Sequence, residues 1–419
     1  MSQKRVVITG LGTINPIGHS VSEYWDNLLK GISGCGPITR FDASKFRTQI
    51  ACEVKDYDPN NYFDRKEARK MDLYAQFGVI AAREAVKDAK LETEELNKKR
   101  VGVIWGAGIG GLNSFHHETS EYISGNGTPR FSPFFIPKMI ANMCGALIAI
   151  EYGFKGPNYT TVSACASSAN AICDALNLIR LGKSDVMIAG GSEAAVSVPG
   201  VGGFNSMKAI STRNDDPKTA SRPFDVDRDG FVIGEGGACI VLEEYEHAIK
   251  RGAHIYAELA GGAANCDAYH MTAPNPSGEC ARDVMLAAME DANMPIDSLD
   301  YINVHGTSTG LGDLAEPIAI KEAFGKHAYE LNISSTKSET GHLLGAAGAL
   351  EALTCVLAVV NDVVPPTINL HNLDPRIDPK LNFTFNKMQK RTVNVALSNA
   401  FGFGGHNASI VIKKIIKNC

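Results

Sequence analysis

Two parts of the sequence show the same order of structural elements, and this repeat limits the folds that the chain can adopt. A helical pattern at 82–90 precedes an acidic turn and a strand-like segment at 101–105. The same order recurs where a helical pattern at 286–294 precedes a strand-like segment at 301–304. We therefore predict an α/β protein with two related halves that meet near residue 255, and a site between them.

A second repeat is centred on Cys165. The segment Ser163-Ala-Cys-Ala-Ser-Ser opens a helical pattern in the first half, and Ser334-Ser-Thr-Lys-Ser-Glu-Thr-Gly-His opens another at Leu343. Unpaired backbone N–H groups and the helix dipole favour negative charge at a helix N-terminus. We therefore expect the Cys165 thiol to ionise easily and to act as a nucleophile.

The composition excludes several classes of protein. The net charge of −5 argues against nucleic acid as the main partner. The ten cysteines include no CxxC pair, which favours free thiols in a reducing compartment, and we expect a cytoplasmic protein. Residues 343–360 approach the length of a membrane span, but Glu351 lies in their middle, so we predict a buried core helix and no membrane contact.

Two motifs resemble ligand-binding loops but are interpreted as turns. Gly106, Gly108 and Gly111 have the spacing of a dinucleotide-binding loop that follows a strand. Residues 112–120 show no clear amphipathic helix, so we expect a tight turn without a nucleotide. The segment that begins at Asp225 starts like a calcium loop but lacks the glutamate at its last position, and we predict a hydrogen-bonded turn.

The second half adds three candidates for chemistry, His305, Lys337 and His342, at a predicted strand end and ahead of an apolar helix. A cysteine with two histidines and a lysine suits chemistry on a thioester. The thiolate forms an acyl-enzyme, and neutral imidazoles donate hydrogen bonds to the oxygen atoms on which negative charge develops. A cysteine protease is the alternative, but it would leave one histidine and the lysine without a role.

Four motifs in order along the chain match a known family. They are Thr161-Val-Ser-Ala-Cys-Ala-Ser, Val304-His-Gly-Thr-Ser-Thr, Ser335-Thr-Lys-Ser-Glu-Thr-Gly-His and Asn399-Ala-Phe-Gly-Phe-Gly-Gly. Together they resemble the β-ketoacyl-[acyl-carrier-protein] synthases, most of all the elongating type II enzymes of fatty acid synthesis. The resemblance extends from Arg5 to about Ile412.

The resemblance implies the thiolase fold, an α/β fold in which duplicated halves form five layers in the order αβαβα. Residues 1–255 would form the half that carries the cysteine, and residues 256–419 the half that carries the histidines. It further implies a catalytic triad of Cys165, His305 and His342.

Further site residues follow from the resemblance alone. Lys337 would support the triad and pair with Glu351, and the backbone N–H groups of Cys165 and Phe403 would form the oxyanion hole. A gating loop that opens for the acyl chain would contain Gly402, Gly404 and Gly405.

The implied reaction is a decarboxylating Claisen condensation that lengthens a fatty acid by two carbons. An acyl chain passes to the Cys165 sulfur, malonyl-carrier protein loses carbon dioxide, and His305 and His342 stabilise the enolate, which attacks the acyl thioester. No metal or redox cofactor is implied. The 4′-phosphopantetheine arrives on acyl carrier protein, the main partner. A structural monovalent cation near the site is compatible with the sequence but has no motif of its own.

Contacts with substrate and partners are also implied. The pantetheine arm and acyl chain would contact Thr307, Thr309, Thr272, Ile109, Phe401, Phe403 and Phe134. Phe134 would also lie at the interface of a homodimer. Carrier protein is acidic, and its docking surface would comprise Arg65, Lys66, Arg69, Lys70, Arg130 and Lys208.

Three positions depart from the family pattern. Gly310 replaces a common proline, Ala273 stands where a hydroxyl residue often holds the pantetheine, and His406 replaces a common threonine. We expect these changes to affect the turn after Thr309, chain-length preference and pantetheine affinity rather than the reaction.

Two further alternatives concern function. A thiolase or polyketide-type ketosynthase has the same fold, but a thiolase needs a second cysteine near the C-terminal glycine loop. Phe403-Gly-Gly-His-Asn contains none, and Cys419 lies beyond the expected position. A non-catalytic dimer partner would lack the nucleophile, whereas Cys165 is present.

Overall fold

The computed structural model describes residues 3–415, which contain 14 strands and 13 α-helices. The strands are β1 (Val6–Ile14), β2 (Gly36–Pro37), β3 (Ile50–Ala51), β4 (Val101–Gly106), β5 (Asn158–Thr161), β6 (Val186–Glu193), β7 (Gly236–Glu244), β8 (Ala257–Cys266), β9 (Tyr301–Asn303), β10 (Asn332–Ser334), β11 (Val363–Val364), β12 (Gln389–Lys390), β13 (Val395–Gly402) and β14 (His406–Lys413). The α-helices are α1 (Val21–Leu29), α2 (Arg65–Ala68), α3 (Leu73–Asp88), α4 (Leu112–Ser124), α5 (Phe135–Met139), α6 (Met143–Tyr152), α7 (Ser167–Arg180), α8 (Val198–Ser206), α9 (Tyr245–Lys250), α10 (Glu279–Asp291), α11 (Gly312–Phe324), α12 (Lys337–Thr340) and α13 (Ala347–Asn361). Cys419, which bears on the thiolase alternative, lies outside the described residues.

Ten strands form one mixed sheet in the order β10-β9-β13-β14-β8-β1-β7-β6-β4-β5. The order is symmetric about the β8–β1 pair, and each strand pair on one side has the same direction as its counterpart on the other. Two residue pairs, Val7–Glu258 and Ile8–Ala257, join the two halves of the sheet. The repeat predicted from the sequence is present, as α3 before β4 and α10 before β9.

The helices complete five layers. α3 packs on the outer face of the first half-sheet and α10 on the outer face of the second, while α7 and α13 contact each other between the two half-sheets. The core of this middle layer takes Ile8 and Ile240 from the first half and Ala396 and Ile410 from the second. The αβαβα arrangement that the resemblance implies is therefore present.

The apolar helix α13 lies in the middle layer. The stretch Leu344–Asn361 is long and apolar enough to cross a membrane, but 89% of it is buried inside the protein. Each buried leucine or valine there contributes roughly 1.5–3 kcal/mol of hydrophobic stabilisation. The prediction of a core helix is confirmed, although the helix begins at Ala347, after a 3₁₀ turn over Leu344–Ala346, rather than at Leu343.

Residues 112–120, which show no clear amphipathic pattern, nevertheless lie in a helix, because α4 begins directly after Gly111. α4 exposes most of its surface, so its apolar periodicity is weak; Ser114 is its one buried residue. A residue from another segment caps the first turn of α4, because the Ser114 N–H donates to the carboxylate of Asp72 at 2.7 Å. A cap supplied by a residue so distant in the chain leaves no local signal.

Candidate active site

A cavity of about 600 Å³ lies where the two halves meet. The first half contributes Cys165 to its wall, and the second contributes His305 and His342. The imidazole rings are nearly perpendicular, with centroids 5.3 Å apart. The structure thus brings the three predicted catalytic side chains to one cavity.

Cys165 lies in a 3₁₀ turn, Ala164–Ala166, directly before α7. Ala164 has a positive φ of 50°, a left-handed conformation that costs an alanine roughly 1–2 kcal/mol. The Ser167 hydroxyl holds this turn, because it donates to the Ala164 carbonyl at 2.7 Å and accepts from the Ser163 N–H at 2.9 Å. The second half has a turn of the same kind at Leu344–Ala346, where Leu344 also has a φ of 50°.

The thiol itself is not easily ionised, contrary to the expectation from its place before a helix. The Cys165 side chain is buried, and burial raises its pKa to about 12, against the opposing effects of the Lys337 ammonium and the Phe403 backbone. Desolvation therefore outweighs the favourable effects of the Lys337 charge and the Phe403 hydrogen bond. In the resting protein the thiol keeps its proton, so its attack on a thioester requires a base.

The two histidines are neutral. Burial, reinforced by the charge of Lys337, holds the pKa of both imidazoles well below the usual value. His342 Nδ1 accepts a hydrogen bond from the Leu344 N–H at 3.3 Å, so its proton belongs on Nε2. Within the described residues, His342 Nε2 and His305 Nδ1 are buried without a hydrogen-bond partner.

Backbone contacts fix both histidines. The Glu316 carboxylate accepts from the N–H groups of His305 and Gly306, each at 2.9 Å, and from the Asn399 amide at 3.0 Å. The His342 N–H donates to the Val232 carbonyl at 2.8 Å, which ties it to the first half. Each imidazole therefore sits on a backbone segment with little freedom to move.

Lys337 and Glu351 form the ion pair that the resemblance implies. Both side chains are inaccessible to solvent, since Lys337 is 1% and Glu351 2% exposed. Burial raises the pKa of the Glu351 carboxyl, and the Lys337 ammonium opposes this rise. The pair places a positive charge close to Cys165 and to both imidazoles.

The predicted glycine loop is a tight turn between β13 and β14. Gly404 and Gly405 have positive φ angles of 87° and 76°, which glycine adopts without strain. A Cβ atom on Gly402 would lie 2.7 Å from the Ser163 carbonyl oxygen and 3.1 Å from the Cys165 nitrogen. Glycine at 402 therefore lets the Phe403 segment approach the cysteine turn, while the opening of this loop stays a prediction.

Comparison with known proteins identifies the family. The profile described as "Beta-ketoacyl synthase, N-terminal domain" matches residues 3–248, and "Beta-ketoacyl synthase, C-terminal domain" matches residues 256–371. The chain belongs to the β-ketoacyl synthase family. Its five layers are those of the thiolase fold that this family shares.

Individual relatives of the synthase match along nearly the whole chain. The 3-oxoacyl-[acyl-carrier-protein] synthase 2 of Synechocystis sp. is 50% identical over 414 residues, which cover 99% of both chains. The protein of the same name from Coxiella burnetii is 49% identical over 415 residues, 99% of this chain and 100% of that one. A solved ketosynthase of a type II polyketide system, in complex with its acyl-carrier protein and bound to a hexaketide, is 32% identical with a TM-score of 0.90, covering 99% of this chain and 100% of that chain.

Most of the predicted substrate contacts of the synthase line the cavity, namely Ile109, Thr272, Thr307, Thr309, Phe401 and Phe403. The hydroxyl oxygens of Thr307 and Thr309 are 3.0 Å apart. Ala273, one of the departures, also lines the cavity. Phe134 is not among the described lining residues; it is half-exposed on the surface, with the Lys70 ammonium 5.9 Å from its ring.

The basic residues predicted to dock carrier protein are all exposed. Arg65, Lys66, Arg69 and Lys70 lie on the single turn of α2 and directly after it. Lys208 also lines the cavity, whereas Arg130 lies in the loop between α4 and α5. A binding role for these residues stays a prediction.

Besides Glu316, sequence reasoning missed two further residues that hold the synthase site together. The Arg228 guanidinium donates to the carbonyl oxygens of Thr309 and Gly310, each at 3.0 Å, and so fixes the turn that Gly310 was expected to affect. The Glu193 carboxylate accepts from backbone N–H groups of the turn at Gly108–Gly110 and from Gly345. The glycine segment is the turn that the sequence predicts, and its backbone N–H groups bind a carboxyl side chain of the protein itself.

Proposed function

We propose that the protein is a 3-oxoacyl-[acyl-carrier-protein] synthase, which condenses an acyl chain with malonyl-carrier protein and elongates fatty acids by two carbons. Family membership and near-50% identity to relatives of that name support the reaction type. One observation carries the proposal: Cys165 and two neutral imidazoles share a cavity large enough for an acyl chain. We assign these three residues as the catalytic triad.

In the first step the acyl group moves from carrier protein to Cys165. Because burial keeps the thiol protonated, a neutral imidazole takes its proton as the sulfur attacks, and the proton returns to the departing pantetheine thiolate. The carbonyl oxygen becomes an oxyanion in the tetrahedral intermediate. The N–H groups of Cys165 and Phe403 are the proposed donors to it.

In the second step malonyl-carrier protein loses carbon dioxide. The electron pair of the broken C–C bond forms an enolate, whose oxygen accepts hydrogen bonds from His305 and His342. Neutral imidazoles suit this role, and the unpartnered Nε2 of His342 supports it. The enolate carbon attacks the acyl thioester, 3-oxoacyl-carrier protein leaves, and the Cys165 thiolate regains a proton.

Partner contacts extend this proposal. The pantetheine arm would enter past Thr272, with its amides near Thr307 and Thr309, while carrier protein would dock on the exposed basic residues. The free-thiol pattern favours the cytoplasm as the place of action. We take residues 1–255 and 256–419 as the two units of the duplication.

A homodimer would cover the apolar surface around β5. This strand is the last in the sheet order, so one of its edges has no partner strand among residues 3–415. Val162 just beyond it is 62% exposed, and Tyr159 on it is 41% exposed. An open edge with apolar side chains invites pairing with a second copy. Sedimentation of Val162→Arg should show monomer where the wild type shows dimer; a dimer that survives would contradict this interface.

A structural monovalent cation is compatible with the residues behind the triad. The buried oxygens Asn303 Oδ1 and Glu351 Oε2 have no hydrogen-bond partner among the described residues, and Cys355 neighbours both the Glu351 carboxylate and the Asn303 backbone. Oxygen atoms of this kind suit such an ion. A cation held by them would add positive charge beside Glu351 and restrain its carboxylate.

Replacement of Cys165 tests the proposal. Cys165→Ala incubated with acyl-carrier protein should show no acyl adduct by mass spectrometry, whereas the wild type gains one. Cys173→Ala, which removes another buried thiol, is the control and should still be acylated. A normal adduct on Cys165→Ala would refute the assignment. His342→Ala, which removes an N–H donor to the enolate, should slow condensation more than acylation, and equal loss in both steps would contradict this role.

A further inference from the structure

Glu193 connects the two halves of the site through one carboxylate. It ends β6 and is completely buried. Its Oε2 atom accepts from the Gly108 N–H at 2.7 Å and from the Gly345 N–H at 3.2 Å. Its Oε1 atom accepts from the Gly110 N–H at 3.0 Å, and both oxygens lie 3.2 Å from the Ile109 nitrogen. Three consecutive amides of one loop and one amide of the other half therefore share this acceptor.

The loop that Glu193 holds carries Ile109 into the cavity. Ile109 is 40% exposed and lines the cavity wall together with Cys165. All three amides from Gly108 to Gly110 donate to the same carboxylate, so the position of the Ile109 side chain depends on that anchor. Burial raises the pKa of the Glu193 carboxyl to about 7, and the four amide donors oppose this rise. Above that pH the acceptor is charged, and hydrogen bonds to a charged acceptor are about twice as strong as neutral ones.

The fourth amide leads to His342. The Leu344 N–H holds His342 Nδ1, and the next amide, Gly345, donates to Glu193. The two loops are in direct contact, because a Cβ atom on Gly345 would lie 2.2 Å from the Gly108 nitrogen. A shift of the Glu193 carboxylate would therefore move both the loop of Ile109 and the support of His342.

We infer that Glu193 is a positioning residue that holds Ile109 against the acyl chain and keeps the His342 loop aligned with it. This inference rests on the proposed function. A long acyl chain fills the cavity more than a short one, so it is more sensitive to the place of Ile109. Loosening the anchor should thus change which chain lengths are extended, rather than merely lower activity.

The test is a double-mutant cycle between Glu193 and Ile109. Glu193→Gln keeps the size of the side chain but offers one oxygen acceptor, and its NH₂ group opposes an amide N–H. The ratio of kcat/KM for dodecanoyl- over butanoyl-carrier protein, with malonyl-carrier protein as second substrate, should fall about tenfold, as expected for the loss of one charge-assisted hydrogen bond. On an Ile109→Ala background the same substitution should change this ratio less than about twofold.

A matched variant controls for general loosening. Glu84→Gln alters another carboxylate that accepts backbone N–H groups, from Thr13 at 2.8 Å and Val21 at 2.9 Å, away from the cavity. It should leave the chain-length ratio unchanged. If Glu193→Gln does not fold, Glu193→Asp withdraws the carboxylate by one methylene and should change the ratio in the same direction.

The outcomes are distinct. A chain-length ratio that stays within twofold of wild type in a folded Glu193 variant would overturn the inference, and so would an equal change in Glu84→Gln. Full additivity with Ile109→Ala would show that Glu193 does not act through Ile109. A wild-type protein that extends neither acyl chain would refute the proposed function, and this inference with it.

Discussion

Replacement of Lys337 by methionine removes one partner of the buried ion pair and should destabilise the synthase strongly. Glu351 is then left in the core without its counter-charge, and it cannot reach water because it is 2% exposed. Breaking a buried pair in this way typically costs about 3–5 kcal/mol. With about 2.1 cal/mol/K of unfolding entropy per residue, a chain of 419 residues should lose about 3–6 °C in Tm.

The loss should grow with pH. Burial raises the folded-state pKa of Glu351 to about 7 while Lys337 holds it down, so removal of Lys337 raises it further. A carboxyl whose pKa is higher in the folded state loses its contribution to stability as pH rises through that pKa. Below the wild-type pKa of Glu351 both proteins carry it protonated. The Tm difference between variant and wild type should therefore be smaller at pH 6 than at pH 9.

Thermal unfolding followed by circular dichroism gives these Tm values. Lys337→Met/Glu351→Met removes both charges and should recover most of the loss, because apolar replacement of a whole buried pair is often neutral. Lys321→Met is the surface control: its pair with Asp378 is 2.7 Å long, but the side chains are 38% and 20% exposed, so a change of about 1 °C or less is expected. A double variant no more stable than Lys337→Met would refute the reasoning.

Three shorter predictions concern packing, pH and docking. Gly345→Ala should lower the free energy of unfolding in urea by roughly 1–3 kcal/mol or more, because its Cβ atom would overlap the Gly108 backbone. Gly310→Ala, whose Cβ atom would lie in open space, should leave that free energy nearly unchanged. Equal losses in the two variants would contradict this. Both imidazoles have a lowered pKa and stay neutral at pH 6.5, so the stopped-flow rate of condensation by pre-acylated enzyme should not fall as the pH drops through 6.5. A fall in rate near pH 6.5 would contradict the role of neutral imidazoles as hydrogen-bond donors. The variant R65E/K66E/R69E reverses charges on and directly after α2 and should bind carrier protein more weakly in calorimetry, by an amount that depends on salt. The control K98E/K99E reverses an exposed lysine pair elsewhere and should bind normally. Unchanged affinity of R65E/K66E/R69E would contradict the proposed docking site.

The sequence was most informative where chemistry and local structure coincide. Cys165, His305 and His342 lie in contiguous motifs at strand ends and helix starts, so the sequence identified them as catalytic candidates without showing where they lie relative to one another. The repeat predicted the symmetric sheet for the same reason, since each copy carries its own periodicity. Spacing alone did not show that the three side chains share a cavity, because that depends on how the two halves pack.

What the sequence could not show depends on contacts between distant segments. The ionisation of Cys165 was predicted wrongly, since burial is a property of the packed molecule and not of the helix that follows. α4 was missed because Asp72 caps it from another part of the chain. Glu193 and Glu316 bind backbone N–H groups, which carry no residue-specific signal. Phe134 lies on the surface of the described chain, so its predicted place at a dimer interface and along the acyl path depends on a second copy of the chain and stays a prediction.

The twin turns at Ala164 and Leu344 explain why the molecule is asymmetric in chemistry although it is symmetric in shape. The residue at the tip is Cys165 in one copy and Gly345 in the other. A cysteine at position 345 would not fit, because its Cβ atom would lie 2.2 Å from the backbone nitrogen of Gly108 in the other half. Engineering a second nucleophile into this repeat therefore requires rebuilding the partner loop first.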